Sequence, residues 1–234
     1  MTRDKKTRAL DDLRMRILSL GVAPGADLDE AALCAQYAIS RTPMREVFQR
    51  LAGEGYLELG QNRAPKVASM DLPTLRTFFQ TAPLIYANIA RLAAENRRAD
   101  QIAPLRAVQA QFRAATEVGD AGAAALLNHS FHAQIGVMSH NPYLQMSLGR
   151  MLIDHTRLSQ TFYRPSNPED TARIASAADQ HDAMIDALEA HDVEAATALT
   201  LAHWDLSRDR MERFVTPDPL PLDMATLKKT ADAL

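Results

Sequence analysis

The sequence predicts a mainly α protein: a small head of three helices and one β-hairpin, then an all-α antiparallel helical bundle. Three observations predict it. Apolar residues recur at helical spacing along most of the 234 residues. Only two stretches, Tyr56-Leu57-Glu58-Leu59 and Val67-Ala68-Ser69-Met70, read as strands. Glycine and proline breaks cut the remainder into segments of ordinary helix length. An apolar content of 47% is enough for a core at this length.

The first helix is expected over 7–20, with Leu10, Leu13, Ile17 and Leu18 on one face. Gly21 and Pro24-Gly25 end it. A second short helix runs from Asp27 to Tyr37, with Leu28, Ala32, Leu33 and Tyr37 inward. Ala38-Ile39-Ser40 is a tight turn. The third helix spans about Arg41 to Gly53 and buries Met44, Val47, Phe48 and Leu51. Ser40 or Thr42 serves as its N-cap, Pro43 fits its first turn, and Gly53 and Gly55 close it. The two strands follow, with Gln61-Asn62-Arg63-Ala64 at the tip between them. This is the order of a winged helix-turn-helix.

A helix that enters a major groove needs polar and basic side chains on its leading turn and apolar ones behind. Ser40, Arg41, Thr42 and Arg45 lead here. Arginine reads guanine through O6 and N7, and threonine holds a phosphate or a thymine methyl. Arg63 and Lys66 on the hairpin are placed to reach backbone or minor groove. The competing explanation is a capped surface helix with solvated arginines, and the hairpin behind it favours DNA. Charge agrees: residues 1–70 carry 11 basic and 9 acidic side chains, against 15 and 20 in the rest.

From Leu72 onward the pattern is helical over roughly 72–98, 100–118, 120–139, 142–164, 168–190 and 193–215. Residues 216–234 hold three prolines and one short possible helix. All seven histidines fall in this body. Asn128 and His132 are four apart, on one helix face. His181 and His203 each lie about 11 residues from the turn at Asp192, roughly 16 Å along their helices, so antiparallel packing levels them. Three imidazoles and an amide oxygen converging in a bundle suit zinc or nickel first, and iron or manganese next. Spacing alone leaves ordinary hydrogen-bonded histidines as the alternative. His129, His140, His155 and His191 read that way, and Arg150, Arg157 and Arg164, seven apart, read as a solvated face.

Pro24-Gly25, Leu28, Leu33, Ser40-Arg41-Thr42-Pro43-Met44-Arg45-Glu46, Leu51, Glu54-Gly55 and Val67 resemble the N-terminal domain of GntR-type bacterial transcription regulators. Phe131-His132, His140-Asn141-Pro142-Tyr143-Leu144, His181-Asp182-Ala183-Met184-Ile185-Asp186-Ala187-Leu188 and Ala195-Ala196 ahead of His203 resemble the FCD ligand-binding domain of the FadR-type branch. The resemblance implies a homodimer on a palindromic double-stranded operator. It also implies a divalent metal at Asn128, His132, His181 and His203, beneath a cavity for a small organic-acid effector. Three departures stand out. Arg63 is followed by Ala64-Pro65 where glycine is usual. Asn128 replaces the usual Asp. Ala82 and Tyr86 stand near positions where many relatives carry Arg and Glu.

The expected domains are therefore 1–70 for DNA, 71–215 for the effector and 216–234 as a tail. A metal-dependent enzyme built on the histidines is the alternative. It lacks a His-Glu-x-x-His motif, a phosphate loop and a nucleophile elbow, and it leaves the head without a role. No apolar run is long enough to span a membrane. Cys34 is the single cysteine, and no apolar signal region follows Met1–Lys6. A cytoplasmic location without membrane partners is expected.

Overall fold

The structure, a computed structural model, describes residues 2–213, with side chains from 4 to 206. α1 (Thr2–Leu18), α2 (Glu30–Tyr37) and α3 (Arg41–Glu54) enclose a head core that includes Leu13, Ile17, Leu33, Met44, Phe48 and Leu51. β1 (Leu57–Glu58) and β2 (Lys66–Val67) pair antiparallel, Leu57 opposite Val67 and Glu58 opposite Lys66. Leu57 and Val67 face the core, while Glu58 and Lys66 face outward.

Local hydrogen bonding explains where the head departs from expectation. The segment before α2 runs along the free edge of β2: Gly25 N–H donates to Val67 O, Val67 N–H to Ala26 O, and Leu28 N–H to Pro65 O. Asp27 is thereby held in a bridge to Lys66, and α2 starts at Glu30 behind an Asp29 cap that accepts from Ala31 and Ala32 N–H. Ala32 is exposed, because a two-turn helix turns only Leu33 and Tyr37 fully inward. α1 begins at Thr2 rather than near residue 7. Its first turns are tied down by Lys5, which donates to Ala38 O, and by a 2.7 Å pair of Lys6 with Glu46. Ser40 occupies the N-cap of α3, yet its side chain makes no capping bond. Gly55 ends α3 with φ +91°, a left-handed conformation that favours glycine, and the flexible Arg150 side chain lies close over it.

The body is an all-α bundle of α4 (Leu72–Asn96), α5 (Ile102–Glu117), α6 (Ala121–Met138), α7 (Pro142–Phe162), α8 (Pro168–Glu189) and α9 (Val193–Arg213). The helix limits fall within two residues of the expected breaks. Asp71, Asp120, Asn141 and Asn167 cap α4, α6, α7 and α8 through side-chain oxygens. α4 packs on α9, α6 on α7, and α5 on both α6 and α8. The short helix expected in 216–234 lies outside the described residues.

α7 joins body to head. Ile153 is part of the head core. Gln160 Nε2 donates to Leu18 O at 3.2 Å. Arg157, expected on a solvated face, is 1% exposed: it pairs with Asp154 and donates to Ala68 O at 2.8 Å. Seven-residue spacing says that side chains share a stripe and does not say what covers the stripe. Here the head covers it at Arg157, while Arg164 stays exposed as expected.

Candidate metal centre and DNA-reading face

α6, α8 and α9 bring His132, His181 and His203 together in the body core. One ring nitrogen from each lies within 4.8 Å of the others, and all three residues are buried. The equal distance of His181 and His203 from the Asp192 turn sets them level, with their Nε2 atoms 3.3 Å apart. Phe131 stacks on His181, ring centres 3.9 Å apart and 14° from parallel, which fixes that ring.

The hydrogen bonds decide where the ring protons sit. Gln109 Nε2 donates to Ala178 O at 2.8 Å, so Gln109 Oε1 faces His181 Nδ1 at 3.0 Å. An amide oxygen only accepts, so Nδ1 carries the proton and Nε2 keeps a bare lone pair. Gln180 Oε1 does the same for His203 Nδ1 at 3.1 Å. Two lone pairs thus face each other. His132 Nε2 and Asn128 Oδ1 are buried and have no hydrogen-bond partner among the described residues. Such orphaned buried atoms are costly. Acceptors gathered this way fit a cation, so the residues present suit a divalent metal.

Electrostatics agrees. Burial, reinforced by neighbouring histidines, holds His132 and His181 well below the usual imidazole range, and burial pushes His203 down to about 4. The rings are neutral near pH 7, the form that ligates metal. Gln109 and Gln180, which orient two of them, left no signal in the sequence, because a glutamine on a helix face is ordinary.

Tyr86 and His155 extend the cluster. Tyr86 Oη is 2.7 Å from His155 Nδ1, and the Tyr86 ring meets His132 edge-on at 5.3 Å. His155 is 3% exposed, and burial pushes it down to about 3. It is hydrogen-bonded as the sequence suggested, yet it borders the centre. A cavity of about 10 Å³ beside His132 is lined by Tyr86, Ile135, Leu148 and Thr200. That is space for about one water.

On the head, Ser40, Arg41, Thr42 and Arg45 are exposed on the leading turn of α3, while Met44 and Phe48 anchor its other face. Arg45 Nε donates to Glu30 at 3.0 Å and its side chain stays 65% exposed, so the guanidinium is oriented without being covered. Arg63 and Lys66 are exposed on the wing.

The model of bacterial regulatory proteins of the gntR family matches residues 5–67, and the FCD domain model matches residues 80–206, more than half of the chain. The chain belongs to the GntR family, with an FCD domain. This GntR-family protein is 26% identical over 223 residues to the galactonate operon transcriptional repressor of Escherichia coli K12, covering 86% of this chain and 95% of that one. It is 30% identical over 121 residues to the Nta operon transcriptional regulator of Aminobacter aminovorans. That match spans 52% of this chain and 57% of the Nta regulator, little more than half its length. Its fold is similar to E. coli McbR/YncC, with TM-score 0.76 at 20% identity over 91% of this chain and 99% of that one. It is similar also to a GntR-type regulator from Rhodococcus sp. RHA1, with TM-score 0.68 at 17% identity over 89% and 97%. The family and these named relatives are transcriptional regulators, so the GntR-family chain is one too and the enzyme alternative falls. No helix among the described residues is long and apolar enough to cross a membrane.

Proposed function

We propose that this regulator binds a palindromic operator as a homodimer, with residues 1–70 reading DNA, residues 71–215 sensing an effector and 216–234 serving as a tail. Arg45 and Arg41 read base edges, Ser40 and Thr42 hold phosphate or a thymine methyl, and Arg63 and Lys66 assist from the wing. His132, His181, His203 and Asn128 hold one divalent metal, zinc or nickel ahead of iron or manganese, because three imidazoles and an amide are borderline ligands. The observation that carries the metal assignment is the set of bare acceptors on those four residues. When bound, the metal supplies an electrophilic centre that grips an anionic group.

The donor set also supports the effector class. Four neutral donors leave both charges of a divalent cation uncompensated, which favours an anionic ligand such as a small carboxylate. Tyr86 and His155 offer hydrogen-bonding groups beside it. The 10 Å³ cavity means that such an acid enters by displacing a wall side chain. Its binding shifts head placement only to the extent that it prefers one arrangement of the two heads.

In vitro selection from random duplex DNA tests the reading. A palindromic consensus bound by two chains is expected, with Arg45→Ala losing base preference in each half-site. Selection of unrelated, non-palindromic sequences would overturn it.

A further inference from the structure

Between head and body lies a second cavity, unconnected with the histidine centre. It is a cleft of about 620 Å³, walled by α1, the end of α3, α6 and α7. That volume is in the range of small-molecule sites, which favour domain interfaces. α6 divides the two cavities. His132 belongs to the histidine centre and Asn128 is buried on the same helix, while His129 and Ala133, each one residue further on, line the cleft.

Three polar groups converge in the cleft. Thr156 Oγ1 spends its proton on Leu152 O at 2.6 Å and therefore accepts from His129 Nδ1 at 2.8 Å. His129 Nε2 is left as an acceptor. Tyr56 is 8% exposed, and its hydroxyl makes no hydrogen bond among the described residues. Arg150 gives Nη1 to Asp154 at 2.9 Å and keeps further N–H donors. Charge is unbalanced there: Asp154 serves both Arg150 and Arg157, so two cations share one carboxylate. Arg14 does not change this, being matched by Glu54 and Asp11. Glu54 also lines the cleft, its carboxylate held by Arg14 and Arg50, and Ala52, Ala133, Met146 and Leu152 supply the apolar wall.

We propose that this cleft is a binding site for a small organic anion with an apolar body, its acidic group on Arg150 and Tyr56. DNA phosphate is not the occupant. The cleft takes the C-terminal end of α3, about 16 Å along the helix from Arg41. Because the ligand touches α3 and α7 together, its affinity depends on how head and body are docked. DNA and this anion then influence each other's affinity reciprocally.

Anilinonaphthalenesulfonate, an aromatic sulfonate, is the probe, titrated into the full-length metal-loaded protein by fluorescence and displaced with benzoate. Gly149 lies in α7 with nothing within 4 Å of an added Cβ, so Gly149→Phe fills the cleft without disturbing the helix. One saturable site per chain is expected, lost in Gly149→Phe, weakened about tenfold in Arg150→Gln and unchanged in His181→Ala/His203→Ala. The proposal is overturned if wild type shows no saturable binding or Gly149→Phe binds as wild type does. It is equally overturned if the histidine substitutions abolish binding, which places the probe at the metal centre. Half a site per chain overturns it in favour of a cleft covered by a second copy.

Discussion

Removing Asp154 tests the clasp that docks head on body. Asp154 is 4% exposed and neutralises Arg157, which is 1% exposed and reaches Ala68 O. Asp154→Leu leaves a buried guanidinium without its carboxylate. Breaking a buried pair from one side costs about 3–5 kcal/mol. In a chain of this size that lowers the melting temperature by on the order of 10 °C. Arg157→Met is milder, because Asp154 keeps Arg150 at 2.9 Å. The loss is then chiefly the Ala68 carbonyl's donor, about 1–3 kcal/mol. Replacing both partners by apolar residues is often near neutral. The double variant should therefore be more stable than Asp154→Leu alone. Urea unfolding followed by circular dichroism, read as a double-mutant cycle, measures this. Strictly additive effects, or an Asp154→Leu midpoint equal to wild type, would refute the clasp.

Arg45→Ala should weaken operator binding by about 1–3 kcal/mol at matched salt and relax specificity at one position per half-site. Lys66→Ala should weaken all sequences alike and reduce the salt slope by about one. Fluorescence anisotropy across a salt series separates the two. Metal-stripped protein should lose stability in mild acid. Burial holds His203 down to about 4 and His155 to about 3, so below about 6.5 the unfolded chain takes up protons that the folded chain refuses. Stability is then intact above pH 6.5 and falls from there toward pH 4, His203 alone contributing about 3 kcal/mol at 1.36 kcal/mol per unit. Equal urea midpoints at pH 7 and pH 5 would contradict this.

The order of elements was legible because helical periodicity and Gly/Pro breaks are local signals. The closeness of His181 and His203 was legible as well, since equal distance from one turn fixes equal height in an antiparallel pair. What sequence missed is long-range. Asp27 and Leu28 read as the start of a helix, yet Gly25–Leu28 is hydrogen-bonded along β2, which shortens α2. Arg157 reads as solvated because nothing nearby in sequence announces that Leu18 and Ala68 will cover α7. Gln109 fixes the His181 tautomer from α5, a helix whose pairing with α8 no spacing rule supplies. Tyr86 and His155 meet across 69 residues.

Metal content is the most direct test of the buried centre. Protein purified without a polyhistidine tag or chelator is analysed for elemental composition. Close to one divalent metal per chain is expected, falling to near zero in His181→Ala/His203→Ala while the α-helical circular dichroism persists. A metal-free wild type that remains metal-free after incubation with zinc or nickel, or a double variant that keeps its metal, would contradict the account.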